Sequence, residues 1–314
     1  MSRIVYALFS NGGVAGGQKM ALRHVETLVD LGFDAVCYLG TRSVEPRWVQ
    51  HRAPIAQGAP LRADDIVVLP NDAADAIQNA ASISNRIVIF DQNPYATAAS
   101  GCAELIANQP ARFPAIITVA PRSAALLRRL FPHAAVETIR CFADERLFRP
   151  GAKERVGAFV PRKRPFEAAA IRAMHARLHP EQRIGWIRLE GAAEAQVADA
   201  FARASVHLSL SRLESVGMTT LEAMASGCVC AGFTGIGGRE YATPDNGFWV
   251  DEDDCVAAAD ALAQAISLVE AGGAPLRHYM EASIETARTW SYAAFRQELE
   301  AVWSRLAPDA RRAA

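Results

Sequence analysis

The chain has 314 residues, 51% of them hydrophobic and 21% charged, which is ample for a buried core and favours two domains over one. A net charge of −1 excludes a general attraction to nucleic acid or to an anionic membrane, so any phosphate must be met by a local cluster. The opening MSRIVYALFSNGG is interrupted too soon for a secretory segment, no run reaches the length of a membrane span, and the six cysteines have no metal-binding spacing. The expectation is a cytoplasmic protein with small buried thiols and no transmembrane segment, for which peripheral membrane contact stays open.

Short apolar runs alternate with longer helical patterns. Ile4 to Phe9 reads as a first strand, followed by a glycine-rich turn and a helix from Gln18 to Leu31. Further strands are expected at Ala35–Leu39, Ile66–Leu69, Ile87–Phe90 and Ile116–Val119, each bounded by Gly, Pro, Asn or Asp. Continuous apolar runs suit parallel strands buried on both faces. The charged stretch RCFADERLFRPG, at 140–151, reads as a linker, after which strands recur at Arg155–Val160, Ile184–Leu189, Val206–Leu210 and Val229–Phe233. A last helix is expected over Ala282–Leu306, with Trp290, Tyr292, Phe295, Leu299, Val302 and Trp303 for a packed face. The fold class is therefore α/β, with two Rossmann-like, doubly wound domains facing across a cleft. Their expected limits are 1–145 and 146–280, with 281–314 packing back on the first.

Three clusters carry chemistry. The loop SNGGVAGGQK, at 10–19, follows the first strand and opens a helix, where small residues such as Gly16 and Gly17 let backbone amides approach an anionic group. It is neither a dinucleotide fingerprint, which needs glycine at Val14, nor a Walker A loop, which needs lysine at Gln18. A plain tight turn is the alternative. After the strand ending at Val160 come Arg162, Lys163 and Arg164, at the carboxyl end of a parallel strand, where such sheets bind ligands. Their forked and point charges suit a diphosphate, although a solvated basic turn would look the same.

The third cluster is VHLSLSRLESVGMTTLEAMASGCVC, at 206–230. A strand delivers Glu214 at its end, Gly217 permits a turn, and Met218–Ala225 has helical composition, which places Glu222 in the first two turns. The spacing Ser211, Glu214, Gly217, Glu222, Ala223, Met224, Ala225, Gly227 resembles the E-x7-E segment of retaining GT-B glycosyltransferases, particularly glycosyltransferase family 4. GGVAGGQKMAL, FADERLFRP and TPDNGFWVDEDD are similar to three further segments of that family, so the resemblance spans most of the chain.

The resemblance implies a GT-B enzyme that moves a sugar from a nucleoside diphosphate sugar to a hydroxyl acceptor (a glycan, a lipid-linked glycan or a small molecule) with retention of configuration. The nucleotide sugar is then a substrate, and neither a cofactor nor a metal is implied. Glu222 would meet the donor ribose, Glu214 the transferred sugar, and the amides near Gly217, Met218 and Thr219 the diphosphate, beside Arg162, Lys163 or Arg164. The family's basic residues are usually spaced R-x4-K, whereas these are contiguous. The family often carries a His after the fourth strand; here the segment reads Asp91-Gln92-Asn93-Pro94-Tyr95. Asp91 or Asn93 could contact the sugar there, or could simply form the turn. His24 and His207 read as structural, and Asp251, Asp253 and Asp254 as helix capping. The alternatives to transfer are a GT-B nucleotide-sugar epimerase and a non-catalytic nucleotide-sugar-binding partner.

Overall fold

The computed structural model describes residues 2–311 and divides into two compact units. One comprises the chain up to Cys141 together with the residues from Ala293 onward, and the other is Phe142–Tyr292.

The first unit runs β1 (Ile4–Leu8), α1 (Gly16–Asp30), β2 (Ala35–Leu39), β3 (Ile55–Gln57), β4 (Ile66–Pro70), α2 (Ala74–Asn79), β5 (Arg86–Asp91), α3 (Pro94–Ala99), α4 (Cys102–Asn108), β6 (Ala115–Thr118), α5 (Pro121–Leu130) and β7 (Ala135–Thr138). Its seven strands are parallel, in the order β3-β2-β1-β4-β5-β6-β7. The five residues of β1 are all buried, as a central strand covered on both faces requires. Ile87, Ile89, Ile116, Phe113 and Leu127 pack in one cluster beneath the helices of one face.

The second unit runs β8 (Glu154–Phe159), α6 (Pro165–Leu178), β9 (Gly185–Arg188), α7 (Glu194–Arg203), β10 (Ala204–Leu210), α8 (Met218–Ala225), β11 (Val229–Phe233), β12 (Phe248–Val250), α9 (Cys255–Ala271) and α10 (Gly273–Arg288). Its five parallel strands take the order β12-β11-β10-β8-β9. This is the doubly wound order 2-1-3-4-5 of a flavodoxin-like sheet, whereas the first unit follows the Rossmann order. Phe159, Val206, Leu208 and Phe233 meet Leu262 and Ile266 of α9 in its core.

The expected strands and principal helices form, and three short strands, β3, β7 and β12, join the sheet edges. The single helix expected over 282–306 is two, broken at Thr289–Ser291 into α10 and α11 (Tyr292–Leu306). Trp290 stays in the second unit, edge-on to Tyr241. Helix α11 returns to the first, where Phe295, Leu299, Val302 and Trp303 are buried. There Trp303 Nε1 donates to Tyr6 Oη at 3.3 Å, and the Tyr6 hydroxyl donates to His24 Nδ1 at 2.8 Å. Burial lowers the His24 pKa to about 3, so it is a neutral acceptor inside an aromatic cluster with Phe90 and Phe295. All six cysteines are free, five of them buried. Among the described residues no single helix is long and apolar enough to cross a membrane.

Candidate functional site

In the second sheet the connections reverse between β8 and β10: β8 leads outward to β9, and β10 leads the other way to β11. The loops leaving these two strands diverge, and an open α/β sheet holds its ligand in the resulting crevice at the carboxyl ends. A pocket lies there. Val160, Arg162 and Lys163 line it from the turn after β8; Leu210, Ser211 and Glu214 line it from β10 and its loop. Thr219 and Thr220 add the first turn of α8, and His207 closes the floor.

The expected basic turn and first glutamate are thus brought together. Lys163 Nζ stands 2.9 Å from Glu214 Oε1, with both side chains about a quarter exposed. Arg162 is exposed beside them and makes no ion pair among the described residues. Helix α8 opens at Gly217, whose φ of +75° suits glycine, and no side chain caps the helix. The first amides of α8 therefore lack intrahelical acceptors and face a helix end of partial positive charge, a combination suited to an anion. Glu222 lies one turn further along α8, 5% exposed, outside the lining of the pocket.

Arg164 points elsewhere. It is 1% exposed, its Nε donates to Ser211 O at 3.0 Å, and its terminal nitrogens pair with Glu252 and Asp253. Its guanidinium also lies over the Phe233 ring, 4.5 Å from the centroid. With its donors committed to protein acceptors, Arg164 ties the β8 turn to the segment before α9 instead of joining Arg162 and Lys163 at the pocket. Of the acidic residues expected to cap that helix, Asp254 does so, accepting from Ala257 N at 2.9 Å. Asp253 serves Arg164 instead, which holds its carboxyl below the usual range.

Sequence reasoning missed the loop that supports Glu214 from behind. The loop after β11, Thr234–Gly238, runs so close under the Glu214 loop that a Cβ on Gly237 would lie 2.4 Å from Val216 N. Ile236 N donates to Arg212 O at 2.9 Å, and Gly235 N donates to Glu252 Oε1 at 2.8 Å. Tyr241 Oη donates to Gly217 O at 3.0 Å, fixing the turn that opens α8. The signal was present in TGIGG, a glycine cluster directly after a strand. His207 is held from below: its Nδ1 donates to Ala158 O at 3.1 Å, and burial lowers its pKa to about 4.

In the first unit the reversal falls between β1 and β4, and the glycine loop leaves β1 at that point. Gly16 and Gly17 are not loop residues but the first turn of α1, after an Ala15 N-cap that offers no side-chain acceptor. The two residues expected to reach a sugar from the β5 loop differ in exposure, Asp91 being buried and Asn93 half-buried. Asp91 is fully buried, receives the Thr97 hydroxyl on Oδ2, and has its pKa pushed up to about 7, chiefly by burial. The Asn93 side chain caps α3, accepting from Tyr95 N at 3.1 Å. The residue between them is the one that reaches the glycines: Gln92 Nε2 donates to Gly17 O at 3.1 Å. A Cβ on Gly17 would lie 2.1 Å from Gln92 Oε1, so a larger residue there would displace the Gln92 amide from this contact. Asn71 holds the segment, accepting from Gln92 N at 3.1 Å and donating to Asn93 O and Thr97 Oγ1.

Comparison with known proteins follows the same lines. Residues 162–268, which contain Arg162, Lys163, Glu214 and Glu222, match the family described as glycosyl transferases group 1. An alpha-1,6-glucosyltransferase of Actinobacillus pleuropneumoniae serotype 7 (strain AP76) is 27% identical over 276 residues, 83% of each chain. The structure of HepE from Anabaena with UDP and glucose superposes with a TM-score of 0.73 at 13% identity, over 96% of this chain and 99% of that one. Sucrose-phosphate synthase from Thermosynechococcus elongatus gives 0.70 at 14%, over 97% and 99%. These two likenesses are of fold, and the fold is GT-B. Together the comparisons support a GT-B fold carrying a segment of the glycosyl transferases group 1 type.

Proposed function

We propose that this chain transfers a sugar, with retention, from a nucleoside diphosphate sugar bound in the second unit to a hydroxyl acceptor. The observation that carries the proposal is the meeting of Arg162, Lys163, Glu214 and the uncapped start of α8 in one pocket at the sheet reversal. Two cations and a helix N-terminus match a diphosphate, and a carboxylate beside them matches the hydroxyl groups of a sugar attached to it. Glu222, buried one turn further along the same helix, is assigned to the ribose.

In this reading the bond from the anomeric carbon to the diphosphate oxygen breaks as the acceptor oxygen bonds to the same face. The acceptor proton passes to the departing phosphate oxygen. The protein then supplies position and charge stabilisation, with Arg162, Lys163 and the α8 amides facing the developing negative charge and no metal or cofactor taking part. The glycine-loop end of α1, held by Gln92, is assigned to the acceptor side or the sugar.

UDP-glucose is the first donor to test, since one relative is named a glucosyltransferase and one neighbour holds UDP and glucose. GDP-, ADP- and dTDP-sugars complete a thermal-shift panel, because a ligand that binds only the folded state raises its stability. Turnover with a bound donor should yield an axial or equatorial product linkage matching the donor by proton NMR, unchanged by EDTA. Glu222→Gln should raise donor Kd about tenfold, the loss of a charge-assisted hydrogen bond. No binding to any donor, or loss of activity in EDTA, would sink the corresponding part of the proposal.

A further inference from the structure

The pocket holds two residues whose ligands are expected to differ, a lysine for the diphosphate and a glutamate for the sugar, and the two hold each other. Lys163 Nζ lies 2.9 Å from Glu214 Oε1, both side chains reach solvent, and both line the same hollow. Of the other two cations of the turn, Arg164 is engaged with Glu252, Asp253 and Ser211, whereas Arg162 lines the same pocket, is exposed and makes no ion pair among the described residues, so Lys163 is the one that Glu214 holds.

We infer that Glu214 and the diphosphate compete for Lys163, and that this competition makes the pocket prefer an intact nucleotide sugar to the bare nucleoside diphosphate left after transfer. The inference rests on the donor reading above. When a nucleotide sugar binds, the sugar hydroxyls donate to the Glu214 carboxylate, and Lys163 turns to the diphosphate. Both ends of the former ion pair are satisfied. When the sugar has gone, Glu214 has no hydroxyl donors and stands as an unpaired anion near a second anion. It then draws Lys163 back, which weakens the hold on the product. The device needs no domain motion and no group outside the pocket, only the reach of a four-carbon lysine stem.

The size follows from the kind of contact. An ion pair about a quarter exposed gives at most a severalfold effect, because solvent screens it. Removing the Glu214 charge should therefore tighten binding of the bare nucleotide about two- to fivefold while weakening the sugar-bearing one. Titration calorimetry with UDP and with UDP-glucose on the whole chain reads both, using the wild type, Glu214→Gln, Lys163→Met and the double variant. The expected result is a lower UDP Kd in Glu214→Gln, a higher UDP-glucose Kd, and a smaller gain for UDP from Glu214→Gln once Lys163 is methionine. Melting temperatures of the four proteins check that each is folded.

An equal gain for UDP with and without Lys163 would overturn the inference, since bare charge repulsion would then account for it. An unchanged UDP Kd in Glu214→Gln would overturn it as well. Both results leave the donor reading standing. If the wild type binds none of UDP, GDP or ADP nor their sugars, the donor reading itself fails and this inference with it.

Discussion

Asp91 shows how a residue read for chemistry can serve packing. Its carboxyl sits at the end of β5, where a sugar contact was expected, yet it is covered completely and bonded to Thr97. Folded, it titrates near 7; unfolded, near 3.9. Between those values the folded chain keeps a proton that the unfolded chain has released, so stability falls as pH rises through the window and the loss is complete above it. Asp91→Asn has no proton to lose and keeps an acceptor for Thr97. Urea denaturation should show the variant gaining on the wild type between pH 4 and pH 8, by at most about 4 kcal/mol. Parallel pH profiles for the two proteins would refute this account. The types of residue in the β5 loop were legible in the sequence. Which one reached the glycine loop was not, because alternation along a strand end says nothing about which side chain a neighbouring loop will cover. The same holds for Arg164, which is indistinguishable in sequence from Arg162 and Lys163 until Glu252 and Asp253, some ninety positions later, are brought to it.

Among the elements, those buried on both faces were readable and those at the edges were not. Strands β1, β4 and β11 carry apolar runs because they are covered on both faces, and β10, buried throughout, alternates Val206, Leu208 and Leu210 with Ser205, His207 and Ser209. Strands β3, β7 and β12 are three or four residues long and only partly covered, too short to show a strand period. The break between α10 and α11 was missed for a related reason: apolar residues lie on both sides of it, but they pack into different units. The loop after β11 makes the same point for the pocket. Gly237→Ala would set a methyl against the backbone of Glu214–Val216, which cannot yield as a side-chain tip can. It should cost about 1–3 kcal/mol of stability and abolish nucleotide binding by displacing the Glu214 loop. Gly40→Ala, with nothing nearer than Ser43 Oγ at 3.6 Å, is the matched control and should change neither. Wild-type nucleotide affinity in Gly237→Ala would show that this loop does not hold the Glu214 loop in place.

On the scale of the whole molecule, each unit has its own sheet and its own core, so each should melt on its own terms. Scanning calorimetry should then show two transitions that respond to different treatments. Trp303→Ala, which empties the fully buried site beside Tyr6, should lower one of them by the equivalent of about 3–5 kcal/mol. UDP at a hundred times its Kd should raise the other by about 2.7 kcal/mol. A single transition moved by both would contradict this division. The two-domain plan was legible from the restart of strand–helix alternation after the linker; the return of α11 was only an expectation drawn from a helical tail. That return has a consequence for synthesis. The second unit is continuous in sequence and can close while its last residues leave the ribosome, whereas the first waits for α11. At ordinary elongation rates the wait is on the order of 10–30 s. Through it the groove that Trp303 and Phe295 will fill lies open to water, so the part of the chain made first is the part finished last.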